Sequence, residues 1–211
     1  MFLLGLVVGL LLSLIAFGIL AERRAAWLQS FRLELKELPV PSTVLADIRC
    51  AEAVYYSHLP FWRRTVERSQ DALAIASPAV AYRFNWSVGS YRIKARTIEQ
   101  LLVWAGSHGY LSIDGETRKA RHSAISYFAE QPVLSGWEAS LYLEWLRQDH
   151  PDLARKSWGE IEANDKLVAK LYSGYMGAGG DMDLWRSTIE PGPVAVERLK
   201  VSRAECRSGA D

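Results

Sequence analysis

Residues 39–61, PVPSTVLADIRCAEAVYYSHLPF, decide how the rest of the chain is read. Prolines at 39 and 41 do not fit inside a helix, so the segment opens with a break. Ser42 is placed to act as N-cap of the run that follows, where Val44, Leu45, Ile48, Ala51, Tyr55 and His58 share one face at helical spacing. Pro60 is expected to end the helix. Its second half carries an acid, Glu52, two adjacent aromatics and a histidine. Such an element is either the helix of an active site or an ordinary amphipathic helix that stops at a proline.

Ahead of it, residues 1–21, MFLLGLVVGLLLSLIAFGILA, contain no charged side chain. About 20 apolar residues at about 1.5 Å each suffice to cross a hydrocarbon core of about 30 Å, so this run is expected to be a transmembrane anchor. A cleaved signal peptide fits less well, because its apolar core spans about 7–15 residues behind a positive start that is missing here. Residues 22–41 read as a juxtamembrane helix and linker, with Trp27, Leu28, Phe31, Leu35 and Leu38 at helical spacing. Arg23, Arg24, Arg32 and Lys36 follow the anchor and none precedes it, a bias toward a cytoplasmic C-terminal domain.

Beyond residue 61 the pattern stays helical. A helix interrupted near Pro78 leads to a loop around Gly89, and ARTIEQLLVWA forms a helix closed by Gly106. SHGYLSIDGET is rich in turn residues, RKARHSAISYFAE is helical, and SGWEASLYLEWLRQDHP reads as an amphipathic helix capped by Ser135. One further helix spans SWGEIEANDKLVAKLYSGYM, with Gly177 as its C-terminal cap. Residues 200–211 read as a polar, mobile tail, which leaves 42–199 as the folded domain. Alternating strand patterns are scarce, so the expected fold is mainly α. Of 211 residues 23% are charged and the net charge is +1, which excludes a nucleic-acid footprint. Cys50 and Cys206 lie far apart with no metal or redox spacing, and His108, His122 and His150 are scattered, so no metal-ligand set is expected.

The opening stretch is similar to the first motif of the family 51 peptidoglycan glycosyltransferases, the glycan-polymerising domains of penicillin-binding proteins. That motif reads approximately V-P-x-x-L-x-x-A-x-I-x-x-E-D-x-x-F-x-x-H-x-G-F behind a membrane anchor. Ala46, Ile48, Tyr55, His58 and Phe61 fall in register with it. In that register the family's catalytic glutamate falls on Ala51, and Glu52 stands one position later. One residue turns a helical side chain by about 100°, so Glu52 is a displaced candidate for the base. A second block, from Tyr110 to Leu146, resembles the C-terminal part of the same domain through Tyr110, Leu111, Gly115, Ala124, Tyr127, Phe128, Leu134, Ser135, Glu138 and Ala139. Between the blocks Gly89 and Ser90 are kept, with Arg92, Lys94 and Arg96 nearby, but the family's second catalytic acid has no counterpart.

The resemblance implies a lysozyme-like helical glycosyltransferase-type domain, degenerate in its catalytic middle. It implies Glu52 as base, with His58, Gly89, Ser90, Arg92, Lys94 and Arg96 on the substrate, a lipid-linked disaccharide-peptide or glycan strand. A divalent metal such as magnesium would assist an active enzyme. The expected setting is single-pass in the inner membrane with a periplasmic domain. LYSGYMGAGGD and VGSYRIKART also resemble short segments of lysozyme-like lytic transglycosylases, A-Y-N-A-G-x-G and G-L-M-Q-I-x-P-x-T. Three outcomes therefore stay open: glycan polymerisation, glycan cleavage, and a non-catalytic scaffold in a cell-envelope protein complex.

Overall fold

The computed structural model describes residues 33–35, 37–113, 118–130, 132–177, 182–188 and 190–208. Its helices are α1 (Ser42–Ser57), α2 (Phe61–Ala76), α3 (Pro78–Phe84), α4 (Ala95–Ser107), α5 (Arg118–Glu130), α6 (Pro132–Asp149), α7 (Trp158–Glu162), α8 (Asp165–Gly177), α9 (Met182–Arg186) and α10 (Pro193–Ser208). The strands are β1 (Leu33–Leu35), β2 (Ser87–Val88), β3 (Ile93–Lys94) and β4 (Leu111–Ile113). The fold is mainly α, as the pattern predicts. Among the described residues no helix is long and apolar enough to cross a membrane, and the run 1–21 lies outside them.

Helix α1 differs from expectation in its cap and its face. Pro41 is the N-cap and Ser42 is already helical, with no side-chain cap bond. The buried stripe is Val44, Ile48, Ala51 and Glu52, because α6 and α10 pack on that side. Tyr55 and His58, expected on the inner face, are exposed, and His58 is the C-cap. Pro78 divides α2 from α3 as read: without an N–H it breaks a helix interior but suits a first turn.

Central to the domain is α6, which touches α1, α4, α5, α8 and α9. Every residue from 138 to 146 is buried, so the middle of this helix is enclosed on all sides where an amphipathic helix was expected. Its buried polar side chains mimic a wet face in the sequence. Glu144 accepts hydrogen bonds from Arg147, Gln148 and Trp158, which meets the cost of burying it. Glu138 is 1% exposed and its Oε1 has no hydrogen-bond partner. Ser135 lies inside the first turn, not at the cap, because the helix starts at Pro132.

The helix expected over 157–176 is two. Ser157 and Glu160 form a reciprocal capping box that starts α7, and Asn164 Oδ1 accepts from the backbone of Lys166 to start α8. Gly177, expected as a cap, is the last residue of α8. On α8 a Cβ at Gly174 would stand 2.7 Å from the ring of Trp185, whose indole donates to the Leu146 carbonyl at 2.9 Å. That missing methyl group lets α9 seat its tryptophan against α8 and α6.

Two sequence readings at the chain's ends are corrected. Within the proposed juxtamembrane helix, Leu33–Leu35 is a strand, antiparallel to β4 with Leu33 opposite Ile113 and Leu35 opposite Leu111. Backbone pairing at the β4 edge overrides the helical spacing of its leucines. The tail 200–211 is helical to Ser208: α10 lies along α1 and α8, buries Ala195, Leu199 and Ser202, and pairs Arg203 with Asp47 and Asp165. Cys206 forms a disulfide with Cys50, so the two cysteines that carried no spacing signal join the last helix to the first.

Candidate functional site

Glu52 sits where α1 meets α2, the β2–β3 hairpin, α8 and α10. Two adjoining concavities, of about 270 Å³ and about 410 Å³, open on either side of it and share Glu52, Tyr56 and Arg92 in their walls. Ala51, where the family register places the glutamate, is 1% exposed in the core. Glu52 lies one step round the helix, at the edge of the buried stripe, so it reaches the cleft with no shift in the backbone.

Glu52 is 8% exposed, and Tyr172 Oη donates to its Oε1 at 2.7 Å. Burial raises its pKa above the usual carboxylate range, which the Tyr172 hydrogen bond and the charges of Arg198 and Arg92 oppose. Tyr172 comes from α8, 120 residues away, and burial together with the neighbouring Glu52 pushes its own pKa up. One turn on, Tyr175 donates to the backbone carbonyl of Tyr91 and so ties α8 to the hairpin.

The hairpin turns on two left-handed residues. Gly89 has φ +72°, and a Cβ there would lie 3.0 Å from Ser135 Oγ and 3.3 Å from the Phe128 carbonyl, so glycine is needed for both conformation and room. Arg92 has φ +56°, unusual for a side chain with a Cβ. Its guanidinium bridges Glu67 at 3.0 Å and Asp71 at 2.9 Å on α2, which locks the hairpin against that helix. Burial raises the Asp71 pKa, with Arg92 opposing.

The predicted site residues divide. Glu52, Arg92 and Lys94 line the first concavity, and Gly89, Ser90 and Arg92 join Glu52 in the second. His58 does not: its side chain is 63% exposed and 3.8 Å from Glu205, because it caps the solvent end of α1. Arg96 does not either, since it donates to the carbonyls of Tyr82 and Arg83 and closes the end of α3. Arg92 is held by two carboxylates, so of the basic cluster read as a pyrophosphate clamp only Lys94 stays unpaired in the cleft among the described residues. Among the described residues no group of three or more histidines, cysteines or acids is arranged to hold a metal ion by itself.

Tyr172, Tyr175, Arg198, Glu67 and Asp71 were not read as site residues. The segment LYSGYMG, set beside A-Y-N-A-G-x-G, was the one signal that could have pointed to Tyr172. The chain matches no family model, no curated protein and no solved structure.

Proposed function

We propose that the protein is a membrane-anchored, lysozyme-like enzyme that cleaves cell-wall glycan strands, with Glu52 as its acid. The observation that carries this reading is the Tyr172–Glu52 hydrogen bond at the junction of two concavities. Both segments that resemble lytic transglycosylases, the hairpin and LYSGYMG, converge on that glutamate. A strand lying along the two concavities passes its scissile bond over Glu52.

The chemistry asks for one acid. Protonated Glu52 donates to the glycosidic oxygen, the bond from that oxygen to the anomeric carbon breaks, and the leaving sugar departs as an alcohol. Water or a hydroxyl of the same sugar then attacks the anomeric carbon, and the Glu52 carboxylate takes its proton. Burial keeps the acid protonated to higher pH than a solvated glutamate. No step runs through a metal.

Polymerisation from a lipid-linked donor, the other enzymatic reading, rests on the motif around residues 39–61. It needs cations for the departing pyrophosphate; of the three basic residues read for that role Arg92 and Arg96 are engaged and Lys94 alone faces the cleft unpaired among the described residues. The disulfide supports a domain on the periplasmic side, because such bonds persist in oxidising compartments. In the test, purified protein is incubated with cell-wall glycan and soluble fragments are identified by mass spectrometry. Fragments from the wild type and a loss of about 10²–10⁴-fold in Glu52→Gln are expected. Polymer from lipid-linked precursor without fragments would overturn cleavage in favour of transfer.

A further inference from the structure

Arg198 enters the first concavity from α10, a helix outside either resemblance. Neither it nor Lys94 on the same wall forms an ion pair with a carboxylate among the described residues. The Arg198 guanidinium lies 3.6 Å from the centroid of the Tyr55 ring. Its Nη1 stands 3.4 Å from Met176 Sδ, a weak acceptor. A side-chain hydrogen bond also links Arg198 to Tyr172, and of the five N–H groups of a guanidinium those left over can still grip a carboxylate with two bonds. A paired arginine such as Arg92 has no such capacity left.

We propose that Arg198, seated over the Tyr55 ring and with Lys94 on the same wall, is a subsite for a carboxylate carried by a sugar beside the scissile bond, so the preferred ligand is an acidic glycan. This rests on the cleavage reading and names its substrate class. Arg198 also faces Glu52 electrostatically, and its charge favours the ionised carboxylate. A ligand carboxylate on Arg198 offsets that charge and returns Glu52 toward its protonated form. Recognition of the acidic sugar and arming of the acid are thereby coupled.

Calorimetric titration of the full chain at pH 7 tests this with two probes. One is cell-wall glycan strand stripped of peptide, whose alternate sugars carry a lactyl carboxylate; the other is the neutral hexamer of N-acetylglucosamine. Tighter binding of the acidic strand by about tenfold, or about 1.4 kcal/mol, is expected. Arg198→Gln should abolish that preference while leaving the neutral hexamer's affinity unchanged, and Arg198→Lys should keep part of it. Methyl esterification of the strand should abolish the preference in the wild type, a control that needs no folded variant. Equal binding of both probes by the wild type, or a preference that survives in Arg198→Gln, overturns the subsite and leaves cleavage standing. Inorganic pyrophosphate bound through Arg198 with no preference for the acidic strand also overturns it, in favour of a lipid pyrophosphate donor. If neither glycan binds, the cleavage reading fails and the subsite falls with it.

Discussion

Replacing Cys50 and Cys206 with serine should cost this domain much of its thermal stability. The bond joins residues 156 positions apart, so in the unfolded chain it closes nearly the whole domain into one loop. For a loop of that size the chain-entropy relation gives about 5 kcal/mol at 25 °C as the stabilisation in the absence of strain. A domain of this length loses about 2–4 °C per kcal/mol, so Tm should fall by about 10–20 °C. In the native state α10 keeps other holds on α1: Arg203 pairs with Asp47, and Ala195 and Leu199 stay buried. The double variant should therefore fold with unchanged helicity, and the loss should lie in its unfolded ensemble. Circular dichroism against temperature and urea separates the two contributions. Removal of the crosslink should raise the urea m-value, because a freer chain exposes more surface, alongside the lower Tm. A Tm change below about 3 °C, with no effect of reductant on the wild type, would refute the loop argument.

Two further outcomes follow from the acids. In Tyr172→Phe the hydrogen bond that favours ionised Glu52 is gone, so the Glu52 pKa rises and the alkaline limb of the cleavage profile should move to higher pH; an unmoved limb would remove Tyr172 from the acid's control. For Glu138, burial raises the folded pKa well above 4.5, so between 4.5 and that raised value the folded state binds more protons than the unfolded. Stability from this group is therefore full below pH 4.5 and is lost as pH rises through the window. Glu138→Gln should remove that part of the slope, leaving the share from Glu52 and Asp71, and stabilise the protein at pH 7, where the wild-type acid has lost at least part of its low-pH contribution. Urea unfolding at several pH values reads both effects, and a steeper slope in the variant would contradict the argument.

How much of this was legible in the sequence varies with the range of the cause. Helix α1, the break at Pro78 and the starts of α4 and α5 follow from local periodicity and proline chemistry, and the sequence marks them. Helix α6 was placed but misjudged, since Glu138, Ser140 and Glu144 look like a solvated face and only three-dimensional packing encloses them. Helix α10 was missed because its buried face is small and polar, Ala195 and Ser202 around Leu199, while Val194 and Val196 point outward. Strand β1 is three residues long, and its existence depends on a partner nearly eighty positions away. At the site, Glu52 was found through motif register, but its hydrogen-bonding tyrosine and the arginine over Tyr55 come from the far end of the chain. Arg92 and Arg96 carried the right charge for a phosphate clamp, yet Glu67, Asp71 and two helix carbonyls had already engaged them.

The pairing of β1 with β4 also sets a leash. Residues 22–32 alone separate β1 from the apolar run 1–21, and about eleven residues reach at most about 40 Å even when fully extended. With that run in a bilayer, the cleft works within a layer no deeper than this reach plus the breadth of the domain. Polymer farther out is beyond it whatever its chemistry. If the cleft cleaves glycan as proposed, height above the membrane, bounded by the length of segment 22–32, selects which strands are met, and lengthening that segment would widen the zone.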